Sequence, residues 1–115
     1  MIKFTALLPR HPSMTHEEFV RYHKEVHAPL LIGDPVIRRY VRRYEQCHTG
    51  PEIAGLPAAS GKFDGIAELW FDDLADVEAL YTSEHYFAVI RPDEERFIDI
   101  SRAEVLISTI HPVFD

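Results

Sequence analysis

The chain has 115 residues, of which 46% are hydrophobic, and its formal net charge is -7 because 19 Asp and Glu outnumber 12 Lys and Arg. This composition predicts one folded domain over residues 1–115 with an ordinary apolar core, and it argues against intrinsic disorder. The negative charge has the wrong sign for binding a phosphate backbone, so we expect no nucleic acid partner.

The first two predicted elements are a strand and a helix. Residues 2–9, IKFTALLP, form an apolar run that predicts a buried strand. Thr15 and Glu18 have the spacing of a capping box, which predicts that a helix begins at Thr15. The helix is expected to end near Ala28, because Pro29 disfavours helical geometry in the residue before it.

The middle of the chain is predicted to form two strands separated by a long loop. Residues 38–48, RRYVRRYEQCH, are rich in aromatic and β-branched residues and predict the second strand. Residues 49–62 hold three glycines and two prolines, and predict either a functional lid or a plain connection. Residues 62–71 form the third strand, with one small and apolar face that we expect helices to cover. That face comprises Gly65, Ala67, Leu69 and Phe71.

The last third of the chain is predicted to repeat the layout of the first. Asp72 or Asp73 should cap a helix that runs to about Leu80. Helical pieces interrupted at Pro92 follow, and residues 103–112 form a final strand. The order strand, helix, strand, strand, helix, strand predicts an α+β, ferredoxin-like βαββαβ fold with a four-stranded antiparallel sheet.

One face of this sheet would have no helices over it. Ile66 and Trp70 lie on that face of the third strand. Because an exposed apolar sheet face is a liability that pairing with a second copy removes, the sequence predicts a homodimer.

The expected location is the cytoplasm. Cys47 is the only cysteine, so an intrachain disulfide is excluded, as suits a reducing compartment. The N-terminal residues lack the pattern of a signal peptide, and no apolar run reaches membrane-spanning length. We therefore expect no association with a membrane.

Three histidines lie on the flank of the first predicted helix: His16, His23 and His27. An imidazole titrates near neutral pH, so His23 and His27 are candidates for general acid–base chemistry. The alternative for His27 is structural, with its ring bonded to the backbone near Pro29. His23 and His27 also have the spacing of a metal-binding pair, but Lys24 stands where a zincin has glutamate, and we expect no metal.

Two carboxylates and four aromatic residues complete the candidate site. Asp64 and Glu68 are possible partners for a catalytic histidine. Their structural alternatives are a role in shaping the strand start and an ion pair across the dimer. Four aromatic side chains are candidates for a substrate-binding wall, although each has the spacing of a core residue as well. They are Tyr22, Trp70, Tyr86 and Phe87.

Three stretches, EEFVRYHKEVHAPLL, FDGIAELWFDDLADVEAL and DEERFID, resemble the EthD family of the dimeric α+β barrel superfamily. The likeness covers nearly the whole chain. Its most specific part is the helix end His27-Ala28-Pro29-Leu30, whereas the family commonly has tryptophan where this chain has His23. The resemblance implies a ferredoxin-like subunit that pairs with a second through its sheet and keeps a pocket between helices and sheet.

The resemblance also implies a range of chemistries, among them cofactor-free oxidation of aromatic polyketides, polyketide cyclisation, dehydration and lactone isomerisation. It implies that His27 donates a proton to, or accepts one from, a small, largely apolar, oxygenated ligand. We therefore expect a cofactor-independent oxidoreductase, isomerase or lyase of aromatic compound metabolism that acts on an aromatic, lactone or polyketide-like compound. The alternative is a non-catalytic dimeric ligand-binding or accessory protein of a catabolic pathway. A haem held by a helix histidine is a third alternative.

Overall fold

The computed structural model describes residues 1–58 and 61–114. Its elements in chain order are β1 (Ile2–Leu8), α1 (His16–Tyr22), a π-helical turn (His23–His27), α2 (Ala28–Ile32), α3 (Pro35–Tyr40), β2 (Val41–His48), β3 (Gly65–Phe71), α4 (Leu74–Tyr81), a second π-helical turn (Tyr86–Ile90), α5 (Arg91–Phe97), a 3₁₀ turn (Ile100–Arg102) and β4 (Glu104–Thr109). The strands form one antiparallel sheet in the order β2-β3-β1-β4. This arrangement confirms the predicted α+β, ferredoxin-like fold.

The first helix begins as predicted and ends later than predicted. The Thr15 side chain accepts a hydrogen bond from the Glu18 backbone, and the reciprocal bond completes the capping box. The helix then passes Pro29 and continues to Ile32, so the predicted end near Ala28 is wrong. The reason lies in the π-helical turn, where the Ala28 N–H bonds to the carbonyl of His23, five residues back. This widened turn makes room for a proline that would clash with an ordinary α-helical backbone.

The second half of the chain uses the same device. The N–H of Arg91 bonds to the carbonyl of Tyr86, again five residues back, and α5 begins directly after this turn. Pro92 therefore lies in the first turn of α5, where a missing N–H costs little. The predicted break at Pro92 is in fact the start of a helix, continuous with the turn before it.

The second strand begins three residues later than predicted. Residues 38–40 belong to α3, because the carboxylate of Asp34 caps that helix by accepting hydrogen bonds from the N–H groups of Val36 and Ile37. Together with Pro35 at the first helical position, this cap outweighs the β propensity of the residues that follow. In the loop that follows β2, the described residues 49–58 and 61–62 form no helix or strand. The suggestion of a lid stays a prediction.

The helices pack on the predicted face of the sheet. Leu69 and Phe71 are buried there, and Gly65 lies directly under the ring of Phe19. A Cβ atom at position 65 would come within 2.7 Å of Phe19 Cε1, so this contact requires glycine. The other predicted helix start is also confirmed, since Asp73 caps α4.

The opposite face of the sheet carries charged and aromatic side chains. Lys3 and Glu68 form an ion pair, and the guanidinium of Arg43 lies 4.6 Å from the centre of the Trp70 ring. Within the part of the chain that the structure describes, no helix is long and apolar enough to cross a membrane.

Candidate functional site

A cavity of about 370 Å³ lies between the helices and the sheet. This volume falls in the range of pockets that bind small molecules. Its floor is apolar and comes from the two central strands, through Phe4, Ala6, Leu8, Ala67 and Leu69. Its polar groups come mainly from the two π-helical turns and the helix after the second one. The two turns contribute His23, His27 and Tyr86 among others, and α5 adds Arg91 and Glu94.

His27 forms a buried pair with Asp93. The Nδ1 of His27 lies 2.8 Å from one carboxylate oxygen of Asp93, and the Tyr22 hydroxyl donates to the other at 2.5 Å. Because an ionised carboxylate only accepts, this geometry places the His27 ring proton on Nδ1 and leaves Nε2 available to a ligand. Burial lowers the pKa of His27, and the Asp93 carboxylate opposes that effect only in part. His27 is thus a neutral proton acceptor at neutral pH.

His23 is the second imidazole on the same wall. Its ring is fully buried, and its centre lies 6.0 Å from that of His27. Its Nδ1 lies 2.9 Å from Nε2 of His48, whereas its own Nε2 is buried with no hydrogen-bond partner among the described residues. Burial lowers the pKa of His23 to about 3, with smaller contributions from His27 and His48. His23 is therefore uncharged throughout the physiological range.

A tyrosine–carboxyl pair lines another part of the cavity. The hydroxyl of Tyr86 donates to the carboxyl group of Glu94. Burial raises the pKa of Glu94 to about 7, against the opposing effects of the Tyr86 hydrogen bond and of Arg91. Tyr44 also lines the cavity, and burial raises its pKa to about 12. The cavity thus holds a carboxyl group that is partly protonated near neutral pH.

The structure brings some of the predicted site residues together. Two histidines and two aromatic residues line the cavity: His23, His27, Tyr86 and Phe87. Tyr22 does not line the cavity. Its hydroxyl donates a hydrogen bond to Asp93, and its ring stacks on Phe97, with ring centres 5.0 Å apart.

Three other predicted site residues lie elsewhere. Asp64 accepts hydrogen bonds from the backbone of Arg10 at 2.9 Å and from His16 at 2.8 Å, so it fixes the start of the first helix. Glu68 and Trp70 alternate with the buried residues of β3, which directs them to the face of the sheet away from the cavity. Neither Asp64 nor Glu68 is the carboxylate partner of His27, so that expectation is wrong. The partner is Asp93.

Two residues that line the cavity, Tyr44 and Glu94, and two that bond to its histidines, His48 and Asp93, escaped the sequence analysis. Asp93 and Glu94 follow Pro92 in the first turn of a helix, where acidic residues are common for reasons of the helix dipole alone. Their spacing from His27 in sequence gives no sign of contact. Tyr44 and His48 occur in a strand of mixed pattern, where alternation did not separate a buried face from an exposed one.

No metal centre is apparent in the described ranges 1–58 and 61–114, where no group of three or more His, Cys, Asp and Glu residues could hold an ion.

The fold and the cavity define a class of protein: a small α+β, ferredoxin-like chain with a ligand-sized cavity beneath its helices and a histidine–aspartate pair in the wall. The chain belongs to the EthD family, because the model of the EthD domain matches residues 11–101. This agrees with the resemblance noted in the sequence. No curated protein matches the chain.

Solved structures with similar folds cover nearly the whole chain. An EthD family protein from Bacillus halodurans C-125 is 18% identical, with a TM-score of 0.67 and coverage of 96% of this chain and 99% of that chain. A dimeric protein of unknown function and ferredoxin-like fold from Bacteroides fragilis is 14% identical, with a TM-score of 0.63 and 95% coverage of both chains. An antibiotic biosynthesis monooxygenase is 12% identical, with a TM-score of 0.55 and coverage of 97% and 100%. At these identities the likeness shows the fold alone.

Proposed function

We propose that this protein is a small-molecule enzyme in which His27 transfers a proton to or from a ligand in the cavity. The observation that carries the proposal is the buried pair of His27 and Asp93, with a separation of 2.8 Å, on the wall of a mostly apolar cavity. A histidine held by a carboxylate at one nitrogen, with the other nitrogen available to a ligand, is an effective general base.

The proposed first step is the removal of a proton from a carbon or hydroxyl group next to a carbonyl. His27 Nε2 accepts the proton, and Asp93 stabilises the imidazolium that forms. The apolar floor keeps water from competing for the base. The Tyr86–Glu94 pair supplies a polar contact for an oxygen atom of the ligand. This arrangement favours a small, mainly apolar compound with at least one carbonyl or hydroxyl group.

The same first step begins isomerisation, cyclisation, dehydration and cofactor-independent oxidation. An aromatic, lactone or polyketide-like substrate satisfies the size and polarity of the cavity. The structural likeness to an antibiotic biosynthesis monooxygenase supports oxidation as one member of this set. We also propose that the protein is cytoplasmic, that it acts as one domain over residues 1–115, and that it needs no added cofactor.

We also propose a homodimer formed through the open face of the sheet, in keeping with the relative that is described as dimeric. Trp70 is central to that face, between Arg43 and Lys3. A Trp70→Glu variant is expected to sediment as a monomer under conditions in which the wild type sediments as a dimer. Identical sedimentation of the two proteins would contradict this interface.

A second candidate function is ligand binding without catalysis. It is favoured by the hydrogen bonds through which Asp93 joins Tyr22 and His27, because these bonds also tie the first helix to α5. In that case the histidine–aspartate pair holds the helices in place, and the dimer is an accessory protein that carries a hydrophobic compound.

Deuterium exchange separates the two functions. The probe is 2-tetralone, a bicyclic aromatic ketone with acidic protons beside its carbonyl, and exchange of those protons in heavy water is followed by NMR. We expect catalysed exchange by the wild type and a loss of about 100-fold or more in His27→Ala. His85→Ala is the matched control, because His85 forms a similar pair with Asp34, at 2.6 Å, that does not line the cavity.

The result can also favour the second function or contradict both. Binding of 2-tetralone, seen as chemical shift changes at cavity residues, with no catalysed exchange in the wild type would support the binding function. Catalysed exchange that His27→Ala leaves unchanged would overturn the role of His27. A parallel assay of oxygen consumption with anthrone tests the oxidative branch.

A further inference from the structure

His23 has a feature that the proposed role of His27 does not use. His23 lines the cavity, and its Nε2 is buried with no hydrogen-bond partner among the described residues. An unpaired buried nitrogen costs free energy, so such an atom in a folded protein calls for an explanation, of which a catalytic role is one. Its other nitrogen, Nδ1, lies 2.9 Å from Nε2 of His48.

His48 connects this buried ring to the surface. It is the last residue of β2 and is partly exposed to solvent, whereas His23 has no exposed surface. The two imidazole rings are perpendicular, with centres 5.1 Å apart. The pair therefore spans the distance from the cavity wall to the solvent through one hydrogen bond.

We propose that His23 and His48 form a proton relay between the cavity and the solvent, and that His23 is a second proton-transfer group for the ligand. This inference rests on the proposed function, because it assumes a ligand that exchanges protons in the cavity. It narrows the substrate class to compounds that lose a proton at one atom and gain one at another, as in an isomerisation or a dehydration.

The proton balance of the relay is simple. In one tautomeric state His23 carries its proton on Nε2, and the Nε2–H of His48 donates to His23 Nδ1. When His23 gives its Nε2 proton to the ligand, its Nδ1 takes the proton of His48 Nε2, and His48 Nδ1 takes one from water. The reverse sequence carries a proton out of the cavity. His27 meanwhile accepts the proton that the ligand loses at its other atom and releases it to water after the product leaves, so the ligand loses one proton and gains one in each turnover.

This mechanism suits a histidine that cannot hold charge. Burial strongly disfavours the imidazolium form of His23, so near neutral pH there is almost no protonated ring to act as an acid on its own. In the relay each ring releases one proton as it receives another, so neither imidazole has to store a positive charge. A single buried histidine without His48 would have to form that charged intermediate.

The experiment replaces His48 and follows His23 directly. His48→Gln keeps a polar group near His23 Nδ1 but cannot pass a proton through a ring. The exchange of the His23 ring N–H with water, measured by NMR on ¹⁵N-histidine-labelled protein without ligand, is expected to slow about tenfold or more. His11→Gln, at a partly exposed histidine bonded to Ser13, is the control and should leave the rate unchanged. Equal exchange rates in His48→Gln and wild type would overturn the relay.

A second variant guards against an effect on folding alone. His48→Ala opens space beside His23, so added imidazole is expected to restore the exchange rate in a concentration-dependent manner. Slowed exchange that imidazole does not restore would overturn the relay in favour of a structural role. Because both measurements use ligand-free protein, they decide the relay even if 2-tetralone exchange shows that His27 is not catalytic.

Discussion

The burial of His23 predicts that this one residue makes the protein sensitive to mild acid. The proposed change is His23→Phe, which replaces a buried titratable ring with an apolar one. The ring would lie between Phe19 and Phe97, whose centres are 5.5 and 5.4 Å from that of His23. We expect the variant to lose part of the dependence of its stability on pH.

The magnitude follows from the shift in pKa. The pKa of His23 is about 3 in the folded protein, against an ordinary value of 6.5. Because the folded pKa is depressed for a basic group, the unfolded chain binds the proton more readily, and stability falls as pH drops below the unfolded value. Between about pH 7 and pH 5 the free energy of unfolding should decrease by about 2 kcal/mol from this residue alone.

Urea unfolding at these two pH values measures the effect. The quantity of interest is the change in the free energy of unfolding between them, compared between wild type and His23→Phe. His11→Phe is the control, since His11 lies at the surface beside Ser13. Other titrating groups occur in all three proteins and largely cancel. An identical pH dependence in wild type and His23→Phe would refute the argument that burial keeps His23 neutral.

Three further substitutions test other parts of the site and core. Asp93→Asn leaves the donors Tyr22 and His27 facing an amide that can accept from only one of them, so urea unfolding should show a loss of about 2–4 kcal/mol; a loss below about 0.5 kcal/mol would contradict this. Glu94→Gln removes a carboxyl whose pKa is raised to about 7. The wild type loses stability as pH rises through that value, because the buried carboxyl must ionise. The variant should keep this stability, so its loss in the free energy of unfolding up to about pH 8 should be smaller than that of the wild type by about 1–3 kcal/mol. Equal values for the two proteins at that pH would count against the buried carboxyl. Gly65→Ala places a methyl group against Phe19, and thermal unfolding should show a loss of about 1–3 kcal/mol; an unchanged midpoint would mean that the ring moves freely.

Much of the fold could be predicted because local signals agree with the tertiary structure. Thr15 and Asp73 cap helices through contacts within a few residues, and the alternation of β3 reflects the burial of one face. The error at residues 38–40 arose where two local preferences compete and the cap at Asp34 prevails.

Of the histidine–aspartate pair, only the histidine could be predicted from the sequence. His27 stands in a helix with a clear pattern, but its partner Asp93 is 66 positions away, and no local rule relates them. The selection of Asp64 and Glu68 failed for a related reason. A carboxylate near the correct strand is not enough, since alternation along β3 and the hydrogen bonds at the first helix direct these two side chains elsewhere. Pairing of this kind depends on the packing of α5 against the first helix.

The two π-helical turns have a consequence for how the site can change by insertion and deletion. Each turn accommodates one residue more than an α-helical turn, and both lie where the cavity is lined. Deletion of Val26 or Val89 would let an ordinary α-helix form, and the side chains before and after the turn would keep nearly the same relative orientation, because the turn already absorbs the extra residue. A change in chain length by a single residue would thus remodel the cavity wall at the turn and leave the helix on either side in place, which no single substitution can do.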